Sequence, residues 1–167
     1  ICESKQASMA IEEDIADGLW ENRPALPLTN AFVLEEKWCG ESCSSKLARV
    51  RRYMDEVGAN YHVLTTLDDI AWLLNVRGRD INSCPVVVSY CVVGKDDVHW
   101  FVDSNKLVDI QEYVNTLGIC IHDYDEVYDF VKTLDSHVLY DPNKVNMLLG
   151  KSIACGIEKE NPTVLMK

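Results

Sequence analysis

Residues 65–90, TTLDDIAWLLNVRGRDINSCPVVVSY, constrain the fold more than any other stretch, because they join a capped helix to a buried strand through a short charged loop. Thr66 is a favourable N-cap, and Asp68 and Asp69 fall in the first turn, where the helix dipole favours acids. Apolar side chains then recur at helical spacing, namely Ile70, Leu73 and Leu74. This pattern predicts an amphipathic helix that ends near Asn75.

The loop after this helix places three charges within four residues, Arg77, Gly78, Arg79 and Asp80. The helix holds the loop on one side and the apolar run 86–93 holds it on the other. This run has the β-branched content of a strand that is covered on both faces. A polar loop with rigid roots suits recognition of a ligand or partner. The same chemistry equally allows a solvated connection in which Arg77 or Arg79 pairs with Asp80.

Along the rest of the chain, strands alternate with helices, which predicts a three-layer α/β domain with a mixed, mainly parallel sheet. The predicted strands are 61–64, 86–93, 98–102, 119–122, 137–140 and 151–157. The predicted helices are 44–57, capped by Ser44 or Ser45, and 66–75, 108–116, 125–134 and 142–149. A turn at 94–97 pairs two adjacent strands as a hairpin, so the sheet is not wholly parallel.

Length and composition indicate one domain with a substantial core, since 47% of the 167 residues are apolar. Helical periodicity at 10–21 predicts a helix, and the prolines within 22–27 predict an extended linker after it. The expected organisation is a tail with the last helix of a preceding domain at 1–22, a linker at 23–43 and the α/β domain at 44–167.

The charge distribution bears on the possible partners. A formal net charge of −11 argues against nucleic acid, because polyphosphate would be repelled. The one basic cluster, Lys46, Arg49, Arg51 and Arg52, is predicted to be a solvated helix face. The sequence has no apolar run of about 18 residues and no signal-peptide pattern, so we expect no membrane association and a cytoplasmic location.

The seven cysteines are odd in number and irregularly spaced, which predicts free thiols in a reducing compartment. Cys39 and Cys43 form the one close pair, but no second pair lies at zinc-finger spacing, which disfavours a metal site there. Cys91 and Cys120 lie in apolar runs and are predicted to be core residues.

The histidines give little sign of catalysis. His62, His99, His122 and His137 each lie in or beside a predicted strand, where a hydrogen-bonded filler is the favoured interpretation. The acids of 122–126 offer metal-ligating atoms, yet they also suit the start of a helix. We therefore expect no catalytic residue and no metal ligand in this chain.

Several motifs in order resemble one enzyme family. They are LWENRPALP, EEKWCGES, KLARVR, LDDIAWLLNVRGRDI, PVVVSY, WFVDSNK and PTVLMK. Together they resemble the second domain of three-domain Xaa-Pro aminopeptidases (aminopeptidase P) over most of residues 19–167. The resemblance implies a fold of the creatinase N-terminal type, with a mixed sheet of about six strands between helices. The family's metallopeptidase domain, in which two Asp, one His and two Glu hold a pair of metal ions, has no counterpart here.

The resemblance implies the noncatalytic middle domain of a metal-dependent aminopeptidase that removes the N-terminal residue preceding proline. The resemblance implies that the parent enzyme binds two divalent ions, expected to be manganese. Its expected partners are its own catalytic domain, a peptide with proline in second position and a second copy in a homodimer. The loop Arg77, Gly78, Arg79 and Asp80 is then expected to face the substrate channel or a domain interface. Two alternatives stay open: a peptide- or protein-binding module of a pseudo-peptidase, and an autonomous α/β domain that binds a small molecule.

Overall fold

A six-stranded mixed sheet forms the centre of the computed structural model, which describes residues 19–167. The helix predicted at 10–21 falls almost wholly outside these residues, as does Cys2. A small antiparallel ribbon pairs β1 (Phe32–Val33) with β3 (Val76–Arg77). The strands of the main sheet are β2 (Tyr61–Leu64), β4 (Tyr90–Gly94), β5 (Val98–Phe101), β6 (Cys120–His122), β7 (Val138–Tyr140) and β8 (Gly156–Glu158).

The main sheet has the order β6-β5-β4-β2-β7-β8. β4 runs antiparallel to β2 and β5, whereas the pairs β5–β6, β2–β7 and β7–β8 are parallel. The predicted hairpin between β4 and β5 is therefore confirmed, and so is a mixed sheet of about six strands.

Short helices lie on both faces of this sheet. They are α1 (Glu36–Cys39), α2 (Cys43–Val57), α3 (Leu67–Leu74), α4 (Gln111–Thr116), α5 (Val127–Lys132), α6 (Met147–Ser152) and α7 (Thr163–Met166). Two 3₁₀ segments, Ser104–Ile110 and Tyr124–Glu126, lead into α4 and α5. Within residues 19–167, every helix is too short or too polar to cross a membrane.

Each face of the sheet packs its own hydrophobic cluster. On one face, α2, α3 and α4 contribute buried residues such as Val50 and Leu73, which pack in one cluster with Trp100 of β5. On the other face, α5 and α6 contribute Val131 and Leu149. These pack with strand residues whose side chains point to that face. Two helical layers around one sheet confirm the predicted three-layer α/β class.

The strand predicted at 86–93 is shorter than expected, because it begins only at Tyr90. Before that point, the backbone N–H of Val88 donates to Oδ2 of Asp80 at 2.8 Å, and the N–H of Asp80 donates to the carbonyl of Val86 at 3.4 Å. The segment is buried and apolar, as its composition indicates, but its hydrogen bonds go to the charged loop instead of a neighbouring strand.

Near the C-terminal end, capping residues move the predicted boundaries. The helix predicted at 142–149 begins at Met147, because the Asn146 side chain accepts a hydrogen bond from the N–H of Leu149 at 2.8 Å. Asp141 instead closes a turn by accepting from the N–H of Asn143 at 2.9 Å. The strand predicted at 151–157 is reduced to β8, since the helix continues through Ser152.

The boundaries of α2 were predicted within two residues. Ser42 is its N-cap, with Oγ accepting from the N–H of Ser45 at 3.2 Å, so neither Ser44 nor Ser45 caps the helix. Gly58 ends the helix in the left-handed conformation with φ of 73°, as the sequence predicts.

The prediction that the basic cluster of α2 is a solvated face is wrong for Lys46, which is 1% exposed. Its Nζ donates to the carbonyl of Trp72 at 2.9 Å and to Oδ1 of Asn75 at 2.6 Å, and it lies 4.8 Å from the centre of the Trp72 ring. Burial lowers the pKa of Lys46. This cation therefore binds the C-terminal end of α3, where the helix dipole favours positive charge.

The other members of the cluster differ in exposure. Arg49 pairs with Glu41 at 2.6 Å, and Arg51 donates from Nε to the carbonyl of Gly94 at 2.9 Å. Arg52 is exposed, as predicted for a solvated helix face.

Replacement of Lys46 by Met should lower the free energy of unfolding by about 1–3 kcal/mol, because two buried oxygen acceptors at the end of α3 would lose their donor. The measurement is urea unfolding at neutral pH. Arg52→Met on the same helix is the matched control, since it replaces another cation by methionine at an exposed position, and its effect should stay within about 0.5 kcal/mol. Equal effects of the two variants would contradict the assigned role of Lys46.

Candidate functional site

The predicted recognition loop, residues 77–80, begins shortly after α3, which ends at Leu74. The guanidinium of Arg77 donates from one Nη to the carbonyl of Ala71 and, at 3.0 Å, to that of Val76. Burial lowers the pKa of Arg77, yet a guanidinium remains charged at physiological pH. Arg77 therefore binds the last turn of α3, and the predicted alternative in which it pairs with Asp80 is wrong.

Gly78 is buried where two stretches of backbone meet. A Cβ atom at this position would lie 2.7 Å from Cγ2 of Val87 and 2.9 Å from the carbonyl oxygen of Val86. The second contact is with backbone, which cannot move aside as a flexible side chain can. Glycine at this position permits the close approach of the chain's own extended segment.

Asp80 is the buried anchor of the loop. Its side chain is 0% exposed and forms an ion pair with Lys106, whose side chain is 2% exposed, over an Oδ2–Nζ distance of 2.6 Å. The hydroxyl of Thr29 donates to Oδ1 at 2.6 Å, and the N–H of Val88 donates to Oδ2. Burial alone would raise the pKa of Asp80, but these three hydrogen bonds and the charge of Lys106 outweigh it, so the pKa is lowered.

Arg79 is the one member of the loop with an exposed side chain. Its backbone N–H donates to Oγ1 of Thr29 at 3.2 Å, so the backbone is fixed while the guanidinium faces outward. Arg79 does not pair with Asp80, whose oxygens bond to Lys106 and the other donors described above. The predicted alternative in which Arg79 pairs with Asp80 is therefore wrong as well.

A cleft of about 310 Å³ opens beside Arg79. Gly78 and Arg79 form one wall, and Phe32 of β1 lies among the lining residues at 41% exposure. The remaining lining residues are Ile81, Asn82, Ser83, Cys84 and Pro85. The cleft combines exposed apolar side chains with one exposed cation, which are the groups that bind an extended peptide and a carboxylate.

A second, larger cleft of about 570 Å³ is lined in part by Lys106, the partner of Asp80. Its lining includes Lys106 and Val88, together with the apolar segment Leu26, Pro27 and Leu28. The acidic side chains in its wall are Asp103, Asp123, Asp125, Glu126 and Asp129. The loop and its ion pair therefore contribute to two clefts, Lys106 to the acidic one and Arg79 to the one with an exposed cation.

A buried polar network lies at the opposite end of α3. The side-chain amide of Asn161 donates to Oδ2 of Asp69 at 2.6 Å, and its backbone N–H donates to Oδ2 of Asp141 at 3.2 Å. Nε2 of His62 lies 3.2 Å from Oδ1 of Asn161. Lys167 forms ion pairs with Asp69 and its neighbour Asp68. The network attaches the C-terminal segment to the first turn of α3.

The histidines are partly as predicted. His62 is 1% exposed, its Nδ1 lies 3.1 Å from the carbonyl of Leu139, and burial lowers its pKa, which confirms a hydrogen-bonded filler. His99 and His122 lie on neighbouring strands with ring nitrogens 2.9 Å apart, a pairing that their separation in sequence concealed. His137 is exposed.

The candidate metal-ligating residues have structural partners. Asp123 and Glu126 form a capping box at the start of the 3₁₀ turn, which confirms the interpretation as a helix start. Within residues 19–167, no group of three or more His, Cys, Asp and Glu side chains is placed to hold a metal ion. The cysteines of this region are free thiols: Cys39, Cys43, Cys84, Cys91, Cys120 and Cys155. Cys91 is buried as predicted, but the prediction of a core position for Cys120 is wrong, because its side chain on the edge strand β6 is exposed.

Sequence analysis missed the partners of the loop. Lys106 lies 26 residues beyond Asp80 and Thr29 lies 51 residues before it, within the predicted linker. A lysine beside a strand is ordinarily solvated, so nothing in the local pattern indicates that this one is buried. The one available signal is Asp80 itself, an acid placed shortly before the apolar run 86–93, where burial would require a cationic partner.

Replacement of Lys106 by Met should lower the free energy of unfolding by about 3–5 kcal/mol at pH 7, because the Asp80 carboxylate would stay buried without its cation. The difference from the wild type should shrink as the pH falls below about 4. Because folding lowers the pKa of Asp80, its carboxylate stabilises the wild type above the unfolded pKa of about 3.9, and this stabilisation is lost as the pH falls through the folded pKa. In the variant, protonation of Asp80 removes the cost of its unpaired buried charge.

Urea unfolding between pH 7 and pH 3 measures this difference. Lys151→Met is the matched control, because Lys151 is an exposed lysine near the end of a short helix. A Lys106→Met variant as stable as this control, or a difference that does not change with pH, would show that the ion pair does not anchor the loop.

This architecture was compared with those of known proteins. The Creatinase/Prolidase N-terminal domain family matches residues 22–167. Xaa-Pro aminopeptidase 1 of Dictyostelium discoideum is 37% identical over 151 residues, which are 88% of this chain and 24% of that protein. A probable Xaa-Pro aminopeptidase P of Laccaria bicolor is 33% identical over 162 residues, 94% of this chain and 25% of that protein. The chain thus spans about a quarter of the length of these curated relatives.

Solved structures agree. The X-prolyl aminopeptidase of Caenorhabditis elegans, described as a cytosolic enzyme with a di-nuclear active site, superposes with a TM-score of 0.92 at 26% identity, covering 99% of this chain and 29% of that one. The Creatinase/Prolidase N-terminal domain of an X-Pro dipeptidase from Streptococcus pyogenes has a TM-score of 0.53 at 15% identity over 74% of this chain and 98% of that one, which shows the fold alone. With a family match over 22–167 and this architecture, the chain belongs to the Creatinase/Prolidase N-terminal domain family.

Proposed function

We propose that this chain is the noncatalytic creatinase-like domain of a metal-dependent Xaa-Pro aminopeptidase, an enzyme that removes the N-terminal residue preceding proline. The observation that carries this proposal is the identity of 33–37% with curated Xaa-Pro aminopeptidases across most of the chain. The proposed pair of divalent ions, manganese by family resemblance, would be held by ligands elsewhere in the protein.

We further propose that the intact enzyme is a cytoplasmic homodimer, that residues 1–22 are a tail and the last helix of a preceding domain, and that residues 23–43 link it to this one. In this arrangement the domain positions peptide substrates without taking part in the bond-breaking step. Its contribution to catalysis would be orientation, which accelerates a reaction only when the contact is stronger in the transition state.

The loop 77–80 is the part of the domain proposed to face the substrate channel or the catalytic domain. Arg77, Gly78 and Asp80 each have an internal role, as a helix-binding cation, a close-packed glycine and a buried anchor. They would therefore act by fixing the position of Arg79. The exposed guanidinium of Arg79 is left to bind a peptide carbonyl or carboxylate.

The intact protein that carries this domain should release the first residue from Xaa-Pro peptides and leave matched Xaa-Ala peptides intact. A chelator should abolish the activity, and Mn²⁺ should restore it. The domain alone, residues 1–167, is the control and should show no turnover. If the intact protein binds Xaa-Pro peptides without cleaving them under any divalent metal, the chain is a binding module of a pseudo-peptidase and the proposal is wrong.

In the intact enzyme, Arg79→Ala should lower kcat/KM for longer peptides by an amount equivalent to about 1–3 kcal/mol, because a charge-assisted hydrogen bond would be lost. Its thermal stability should stay unchanged, since the side chain is exposed. Arg52→Ala provides a control at an exposed arginine on α2. Arg77→Ala should lower stability, because its guanidinium binds the last turn of α3. Unchanged kinetics of the Arg79 variant with long peptides would exclude the loop as a substrate contact.

A further inference from the structure

Four titratable side chains form a continuous row at the edge of the main sheet. His99 of β5 and His122 of β6 stand in the centre, with Nδ1 of His99 lying 2.9 Å from Nε2 of His122. Nε2 of His99 lies 3.2 Å from Oδ2 of Asp97, and Nδ1 of His122 lies 3.7 Å from Oε2 of Glu126. A carboxylate therefore stands beside each outer ring nitrogen of the pair.

The surroundings of the row are otherwise aromatic and apolar. The ring of Phe101 stacks on His122 with centroids 4.8 Å apart, and Phe130 of α5 packs against both histidine rings at 4.5 and 5.5 Å. In the strand register, Val92 of β4 stands opposite His99 on one side and Cys120 of β6 on the other. Within this packing, the charged groups beside the pair are Asp97 and Glu126.

The number of protons follows from the geometry. Two imidazole nitrogens 2.9 Å apart require one proton between them, because two lone pairs or two N–H groups at that distance repel. Oδ2 of Asp97, 3.2 Å from Nε2 of His99, favours an N–H there, whereas Oε2 of Glu126, 3.7 Å from Nδ1 of His122, lies beyond hydrogen-bond distance. Two protons on four nitrogens therefore satisfy both short contacts and leave the rings neutral, and a third on Nδ1 of His122 adds one positive charge without placing two N–H groups face to face.

We propose that Asp97, His99, His122 and Glu126 form a proton-binding site that accommodates up to three ring protons, and that binding of a fourth proton separates the two histidines and loosens the edge strand β6. The fourth proton would place two N–H groups 2.9 Å apart in an aromatic environment. Burial and the neighbouring His99 lower the pKa of His122, in agreement with the difficulty of charging both rings.

The position of β6 gives this site a consequence for the surface. β6 is the outermost strand and is paired only with β5 in the main sheet of residues 19–167. The chain after His122 runs directly into the wall of the acidic cleft, to which Asp123, Asp125 and Asp129 belong. Release of β6 at acidic pH would therefore change the wall of that cleft.

Nuclear magnetic resonance of the imidazole rings between pH 8 and pH 4 tests the proton count. We expect His99 and His122 each to show two shared titration steps, because each ring senses the charge of the other. Substitution of either histidine should leave the other with a single step. Two independent single-step curves, unchanged by substitution of the partner, would overturn the proposal.

Stability provides a second readout, separate from the proton count. A fourth proton bound more weakly by the folded than by the unfolded chain makes the protein less stable as the pH falls below the unfolded value of about 6.5. Each unit by which folding lowers the pKa for this proton can raise the unfolding equilibrium constant by up to about tenfold. We expect faster hydrogen exchange in β6 than in β7 over the same range.

His122→Phe should abolish most of this decline, because one ring can accept its proton beside Asp97 without repulsion. The matched control is His137→Phe at an exposed histidine, which should retain the decline of the wild type. Where His122→Phe fails to fold, His122→Asn supplies the same test with a smaller polar side chain. A decline that persists in both His122 variants, with exchange in β6 no faster than in β7, would contradict the proposed loosening of this strand.

Discussion

The C-terminal end of α3 is the point on which the arrangement of this domain depends. A helix end leaves carbonyl groups without partners, and their burial is costly unless other groups donate to them. Here the donors come from three different elements: Lys46 of α2 binds the carbonyl of Trp72, Arg77 of β3 binds that of Ala71, and the hydroxyl of Tyr113 of α4 donates to that of Leu74 at 2.9 Å. One helix end therefore fixes the relative positions of its neighbours.

Such an arrangement also explains the left-handed conformation of Asn75, with φ of 53°. Asparagine tolerates this conformation better than most residues, and its side chain is used twice, accepting from Lys46 and donating to the carbonyl of Glu41 at 2.9 Å. The backbone carbonyl of Asn75 accepts from the N–H of Leu34 at 2.8 Å, which brings β1 against β3. The ribbon beside the charged loop is thus a consequence of how α3 ends.

The local sequence pattern predicted most helices and strands, but it could not predict the long-range polar contacts. The helix at 66–75, the strand at 61–64 and the β4–β5 hairpin follow from periodicity and capping, which are properties of adjacent residues. The positions of Lys46 and Lys106 do not, since a lysine is buried only when folding brings acceptors from distant segments around its amine. The same applies to the loop, where the sequence indicated charge and rigidity but could not assign Arg77 to the helix and Asp80 to Lys106.

The two ends of α3 couple regions that are far apart in sequence. Its last turn holds Arg77 at the root of the charged loop, while Asp69 in its first turn binds Asn161 and Lys167 of the C-terminal segment. A helix of eight residues is about 12 Å long and stiff over that distance. Because both attachments are buried or charge-assisted, a displacement of the C-terminal segment would carry the loop with it, and the exposed guanidinium of Arg79 is positioned by a rigid helix and not by a flexible connection.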